Sequence, residues 1–196
     1  NVNSIILLST LLLPSDPVER KRLLEISRKK NVELFFVVED TSYPGKSSME
    51  EIETHGDVIV LRNISRQVDE SQRVSRVVVL AMDGVVNESG ELDADQTQIY
   101  VPNEFLMREL PQFDNLEFGA SVNPYRLDAV DRLVQVVEGG ALLVKWIPNI
   151  MLIDPADKAI IPFYRKLVEL DLPLLTHTGQ ERSFADARDE FGDPER

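Results

Sequence analysis

Apolar residues along this chain fall into short unbroken runs separated by stretches with helical spacing. Ser4 to Leu13 is one such run. Pro14-Ser-Asp-Pro17 breaks it and supplies an N-cap at Asp16 and a first-turn proline at Pro17. Val18 to Lys30 then has helical spacing, with Leu23, Leu24 and Ile26 on one side and basic residues on the other. Glu33 to Val38 reads as a second strand and Thr41 to Gly45 as a turn, so residues 1–45 predict a β-α-β unit. Ser47 or Ser48 can cap a helix through Glu50 and Glu51. Val58 to Leu61 is open between strand and helix, because a short apolar run has no resolvable period. Ile64 to Arg73 is expected as a surface helix, and His55 as a surface residue.

From residue 74 the alternation becomes regular. Arg76 to Asp83 reads as a buried strand ending in an acid, and Gly84 to Asp95 as a polar loop. Pro102 to Leu110 predicts a helix and Leu116 to Val122 a strand ending at Asn123-Pro124. Leu127 to Glu138 is amphipathic, with Leu127, Val130, Leu133, Val134 and Val137 inward, and Gly139-Gly140 closes it. Ala141 to Pro148 predicts a strand carrying Lys145 and Trp146. Asp154-Pro155 and Asp157 open a helix to about Leu170, Leu172 to His177 is a strand, and Ser183 to Phe191 a charged helix. Unbroken apolar strands alternating with helices argue for an α/β protein with a parallel sheet covered on both faces. One such step separates Lys145 from His177.

Composition narrows the partners. The chain has 196 residues, about one domain and short for a complete eight-stranded barrel of roughly 250 residues. Its formal net charge of −13 argues against nucleic acid or an anionic membrane surface as the main partner. Absence of cysteine excludes disulfides, thiolate ligands and thiol nucleophiles. The apolar run at residues 5–13 is too short to span a membrane and lacks the flanks of a signal peptide, so a cytoplasmic setting is expected. No glycine-rich phosphate loop, dinucleotide fingerprint or Gly-x-Ser-x-Gly elbow is present.

The sharpest chemistry sits where strands end. In an α/β barrel the carboxyl ends of strands face the active site, and Lys145 and His177 occupy two such ends. His177 can be a metal ligand, a general base or a core histidine bonded to a backbone carbonyl. Lys145 can hold an anion, act as a base with a lowered pKa, bridge metals as a carbamate, or simply reach solvent. Asp83 is best read as a loop cap. Asn123, Tyr125, Trp146 and Glu181 are candidates for substrate contact, three of them with a plainer alternative: a turn at Asn123, packing at Trp146, a helix start at Glu181.

A set of segments then resembles the amidohydrolase superfamily, and within it the amidohydrolase-related, predicted metal-dependent hydrolases of the TIM-barrel fold. The segments are Val77 to Gly84, Tyr100 to Phe105, Phe118 to Tyr125, Val144 to Pro148, Ile153 to Pro155, Pro162 to Tyr164 and Leu174 to Gly179, within about residues 57–196. The resemblance implies a (β/α)8 barrel and a divalent metal, commonly zinc, that activates water against a small carbonyl-type substrate. It implies that His177, at the end of the fifth barrel strand, is a metal ligand. Lys145, at the end of the fourth, matches a lysine that bridges two metals as a carbamate in some members. The family's His-x-His pair has no counterpart among the two histidines, the later ligand positions fall beyond Arg196, and residues 1–45 lie outside the match. The expectation is therefore a partial (β/α)8 TIM-like barrel over residues 46–196 behind an atypical segment 1–45, inactive by itself. Its open sheet edges invite self-association into a homo-oligomer or a partner. Two other functions stay open: a non-catalytic α/β module binding a small anion or a partner subunit, and a metal-dependent decarboxylase.

Overall fold

The computed structural model describes residues 6–9, 34–37, 49–184 and 186–195. The predicted helix at residues 18–30 and the turn at 41–45 lie outside them. The chain divides into two compact units, one of residues 1–79 with 109–117, the other of residues 80–108 with 118–196.

In the first unit the predicted strands form as β1 (Ile6–Ser9) and β2 (Leu34–Val37), paired in parallel. Helix α1 (Met49–Glu70) follows. It absorbs Val58 to Leu61, the run that periodicity left open, and over residues 64–70 it lies at the surface on one side, with Arg66, Gln67, Asp69 and Glu70 exposed. Ile59, Leu61, Ile64 and Val68 are all buried, because Leu61, Ile64 and Val68 recur at helical spacing and make one apolar stripe. His55 lies within α1, and its side chain is outside the described residues. The helix ends at a Ser71 turn, whose hydroxyl accepts the backbone N–H of Arg73 and Val74. Asn115 reaches α1 from far along the chain, donating to the Ser65 carbonyl at 2.9 Å and to Asp69 at 2.7 Å.

Strand β3 (Val77–Leu80) pairs in parallel with β1, and the sheet has the order β2-β1-β3-β4, where β4 is Leu116–Gly119. Helix α2 (Asn103–Glu109) precedes β4.

The second unit continues with α3 (Ala129–Glu138), β5 (Val144–Trp146), α4 (Pro148–Met151), α5 (Ile161–Glu169) and β6 (Leu174–Thr176). Strands β5 and β6 are parallel, with Lys145 opposite Leu175. A parallel bridge between Ala120 and Val144 carries the ladder from the end of β4 to β5. Successive strands β4, β5 and β6 are thus spatial neighbours, as in barrels and open parallel sheets alike. Among the described residues the strands do not close into a barrel, and β1 lies between β2 and β3 where a barrel would keep chain order.

Helices α3 and α5 pack on one another. Ala129, Leu133 and Val136 form the buried stripe of α3, whereas Leu127, expected inward, precedes the helix and is 86% exposed. Gly140 reverses the chain after α3 at φ +86°, a conformation natural to glycine. The charged helix expected at Ser183 to Phe191 does not form. Only a 3₁₀ turn at Asp189–Gly192 is helical there, since the acids bond local backbone groups instead of lying on an amphipathic face. No helix of the described residues is long and apolar enough to cross a membrane.

One ion pair ties the ends of β3 and β4 together. Asp83 and Arg126 are both buried and meet in a bidentate fork, at 2.7 Å through Nε and 2.5 Å through Nη2. The remaining lone pairs of Asp83 accept the backbone N–H of Gly84 and of Asn123. Breaking a buried pair on one side strands the other charge, at about 3–5 kcal/mol. Arg126→Ala is expected to lower the melting temperature by on the order of 10 °C. Asp83→Asn with Arg126→Met together should recover most of that loss. Thermal denaturation of the three proteins checks both.

Candidate functional site

The carboxyl ends of the second unit's strands carry two different polar environments. At β3 and β4 every group has a role in holding the backbone. Asn123 is fully buried; its amide donates to the carbonyls of Gly84 and Met151, at 2.9 Å each, and its oxygen accepts Tyr125 N–H. It is a tie between three chain segments, with both amide hydrogens engaged. Tyr125 donates its hydroxyl to Asp157 at 3.0 Å and accepts Asp154 N–H. Burial and the Asp157 bond push its pKa up to about 12. Asn103 and Ser121 exchange two bonds, and the Ser121 hydroxyl donates to the Lys145 carbonyl at 2.8 Å, which fixes β5 against β4.

Trp146, 1% exposed, lies stacked on Phe163 at 5.3 Å, and its indole N–H donates to the Val122 carbonyl. Its surface is occupied by packing. Side chains alternate across a strand, so Lys145 leaves β5 on the face opposite Val144 and Trp146. Lys145 stands in register with Leu175. Two residues on, His177 shares that face, and its backbone N–H extends the ladder by donating to the Trp146 carbonyl at 2.9 Å. The two residues singled out at strand ends are thus brought together on neighbouring strands.

Both are short of partners. Lys145 is 4% exposed and makes no side-chain hydrogen bond or ion pair among the described residues. Burial alone lowers its pKa from the usual lysine value to about 8. The Nε2 atom of His177 is buried without a hydrogen-bond partner. Burial lowers its pKa as well, and the Lys145 charge adds to that, against weaker opposing effects of Glu181, a Gln180 backbone bond and Asp189.

The loop after His177 is pinned from below. Gly179 turns the chain at φ +103°. Asn149, fully buried on α4, donates its side-chain amide to the Gly179 carbonyl and to Asp189, and its backbone carbonyl accepts Arg188 N–H. Asp189 also accepts Glu181 N–H at 2.9 Å. Glu181 is buried and its carboxylate accepts Ser183 N–H at 2.7 Å, so it organises the loop in which it lies. Asn149 and Asp189 were not legible as site-shaping residues: Asn149 sits in a helix of four residues that no period reveals, and Asp189 in a run of charges.

Of the described residues at these strand ends, His177 alone offers an unengaged donor of the kind a metal site uses. A zinc centre takes three or four protein ligands. His177 Nε2 is a free imidazole donor in the right place, but Glu181 and Asp189 already accept backbone and amide bonds. Among the described residues no three histidine, aspartate or glutamate side chains converge. His177 therefore fits the role of one ligand, and a full set needs donors from outside the described residues. An open cavity of about 480 Å³ lies among the loops after β3, β5 and β6, walled by Val85, Gln96, Ile150, Leu152, Asp186 and Arg188. Neither Lys145 nor His177 lines it.

Two outcomes follow from this geometry. A lysine whose folded pKa lies near 8 and whose unfolded pKa lies near 10.5 destabilises the fold by about 3 kcal/mol below pH 8. The unfolded chain binds the extra proton between those values, so the penalty fades as pH rises through that window. Lys145→Met is expected to melt higher than the parent at pH 7, with the gap closing towards pH 10.5, in paired denaturation series. At the loop base, a Cβ on Gly192 would meet the Gly179 carbonyl and lie 2.6 Å from the Asn149 amide nitrogen. Gly192→Ala should therefore free the loop, read as faster hydrogen exchange at Gly179 and faster proteolysis between 179 and 192. Unchanged protection would show that the loop does not depend on this contact. No family model, curated protein or solved structure matches the chain, so the site is read from its own residues.

Proposed function

We propose that the chain carries part of the centre of an amidohydrolase-like, metal-dependent hydrolase acting on a small carbonyl compound. The observation that supports this reading best is the buried, unpartnered Nε2 of His177 at the carboxyl end of β6. Asn115 Oδ1 and Asn149 Oδ1 are also buried without a partner among the described residues, but both side chains are tied down through their amide nitrogens, and the imidazole nitrogen alone of the three is a strong metal donor. Burial keeps the ring neutral at neutral pH, the form that binds a metal. Zinc at such a position lowers the pKa of bound water and polarises a carbonyl.

Lys145 shares the face with His177, which lies one step along the neighbouring strand. Asp189 and Asn149 hold the loop that follows His177 at Gly179 and Glu181. With one free imidazole among the described residues, hydrolysis needs further ligands from residues outside them.

Calorimetry on chelator-treated protein tests the reading directly. Zinc is expected to bind one to one, at least tenfold more weakly after His177→Ala and unchanged after His55→Ala. Binding indifferent to His177, or lost only with His55, would overturn the assignment.

A further inference from the structure

Among the described residues Lys145 is a buried cation with no counter-ion. Elsewhere in the second unit buried charge is matched: Asp83 meets Arg126 in a fork, and Glu181 accepts a backbone N–H. Lys145 is as buried as they are, at 4% exposure, yet no acid of the described residues bonds to it. The chain has 34 acidic residues, so a shortage of partners is not the reason. A buried ammonium is costly unless paired, and a site that tolerates it is arranged for an anion that arrives from outside. The second feature is geometric. The in-register pairing of Lys145 with Leu175 puts His177 on the same face one step further along β6, and its Nε2 is buried and unpaired.

We propose that the Lys145 ammonium binds the carboxylate of a small substrate, so that the compounds acted on are carboxylate-bearing amides, esters or lactones, with His177 Nε2 one step along the same face left for the metal. This rests on the hydrolase reading and names its substrate class. A carboxylate fits better than a phosphate for three reasons. One ammonium supplies a single positive charge, which a monoanion matches. No arginine of the described residues joins it to make a bidentate fork for a tetrahedral dianion. Glu181 and Asp189 both act on His177 from the adjoining loop and would repel a second negative charge.

The test uses the chelator-treated full chain, which separates it from zinc binding. Acetate is titrated by calorimetry and by the fluorescence of Trp146, the chain's single tryptophan and the neighbour of Lys145. Inorganic phosphate serves as the comparison anion, at the same ionic strength. Saturable acetate binding is expected, at least tenfold weaker after Lys145→Met, weakened less by Lys145→Arg, and tighter than that of phosphate. The Lys145→Met protein is expected to fold, since it loses an unpaired buried charge; should it not, Lys145→Gln takes its place, and the wild-type acetate and phosphate curves still decide. The proposal falls if acetate does not saturate, if it binds Lys145→Met as tightly as wild type, or if phosphate binds more tightly. It falls also if labelled bicarbonate gives a carbamate signal at Lys145, which would make the residue itself an anion. Loss of zinc binding with acetate binding intact would remove the hydrolase reading and leave an anion site. Zinc binding with no acetate binding would do the reverse.

Discussion

The second unit depends on the burial of one ion pair. Asp83 stands just past β3 and Arg126 just past β4, and each is nearly removed from water. Alone, either charge would destabilise the fold by several kcal/mol; together, with the Gly84 and Asn123 amides completing the carboxylate, they are satisfied. The geometry is strict, because a guanidinium fork donates to a carboxylate in one plane. Through Asn123 the constraint passes to the Gly84 and Met151 carbonyls, and so to the chain after β5. The loops at this end are held by polar bonds inside the unit, where apolar packing alone would leave their register loose.

Against that rigid background the ends of β5 and β6 are conspicuous for what they lack. The same fold that satisfies Asp83 completely leaves, among the described residues, Lys145 without an acid and His177 Nε2 without a partner. Stability alone offers no reason to keep a buried lysine there, since an aliphatic side chain would fill the space at lower cost. Strain and unmet polar groups persist where a ligand or a reaction uses them. The two environments are neighbours, and the contrast between them is what separates scaffold from site.

Much of this was readable from the chain. Lys145 and His177 declare themselves because a polar residue at the end of an apolar strand has few structural uses, and a parallel ladder puts such residues side by side. Strands β3 to β6 are legible for the same reason, as unbroken apolar runs between helices. The role of Arg126 was not, because its partner is 43 residues away and nothing local announces a fork. The helical state of Val58 to Leu61 was hidden because four apolar residues carry no period, and tertiary burial of Ile59 and Leu61 decided it. The segment from Ser183 to Phe191 failed in the opposite sense. Its charges have helical composition, but Glu181 and Asp189 bond the backbone around them, and only one turn of 3₁₀ helix remains. Tyr125 and Trp146 show why exposure to a strand mouth is not enough: both have polar atoms, and both spend them on the scaffold.

The strand order bears on what completes the site. Strands β4, β5 and β6 follow one another in space as they do in sequence, which suits a barrel segment. The placement of β1 between β2 and β3 suits an open sheet instead. In both arrangements functional groups gather at the carboxyl ends of parallel strands, because crossover helices cover the faces and leave that end to loops. The chemistry at Lys145 and His177 is therefore indifferent to whether the sheet closes. Closure matters for a different quantity, the number of strand ends that can aim donors at His177. An open sheet offers its immediate neighbours, and at β5 these are Trp146, which is packed, and Lys145, which is a cation. A metal centre at His177 would thus draw its further donors from outside the described residues, whereas the proposed anion site at Lys145 would need only the pair of strands already in place. Of the two chemistries, anion binding is the one that β5 and β6 can support by themselves.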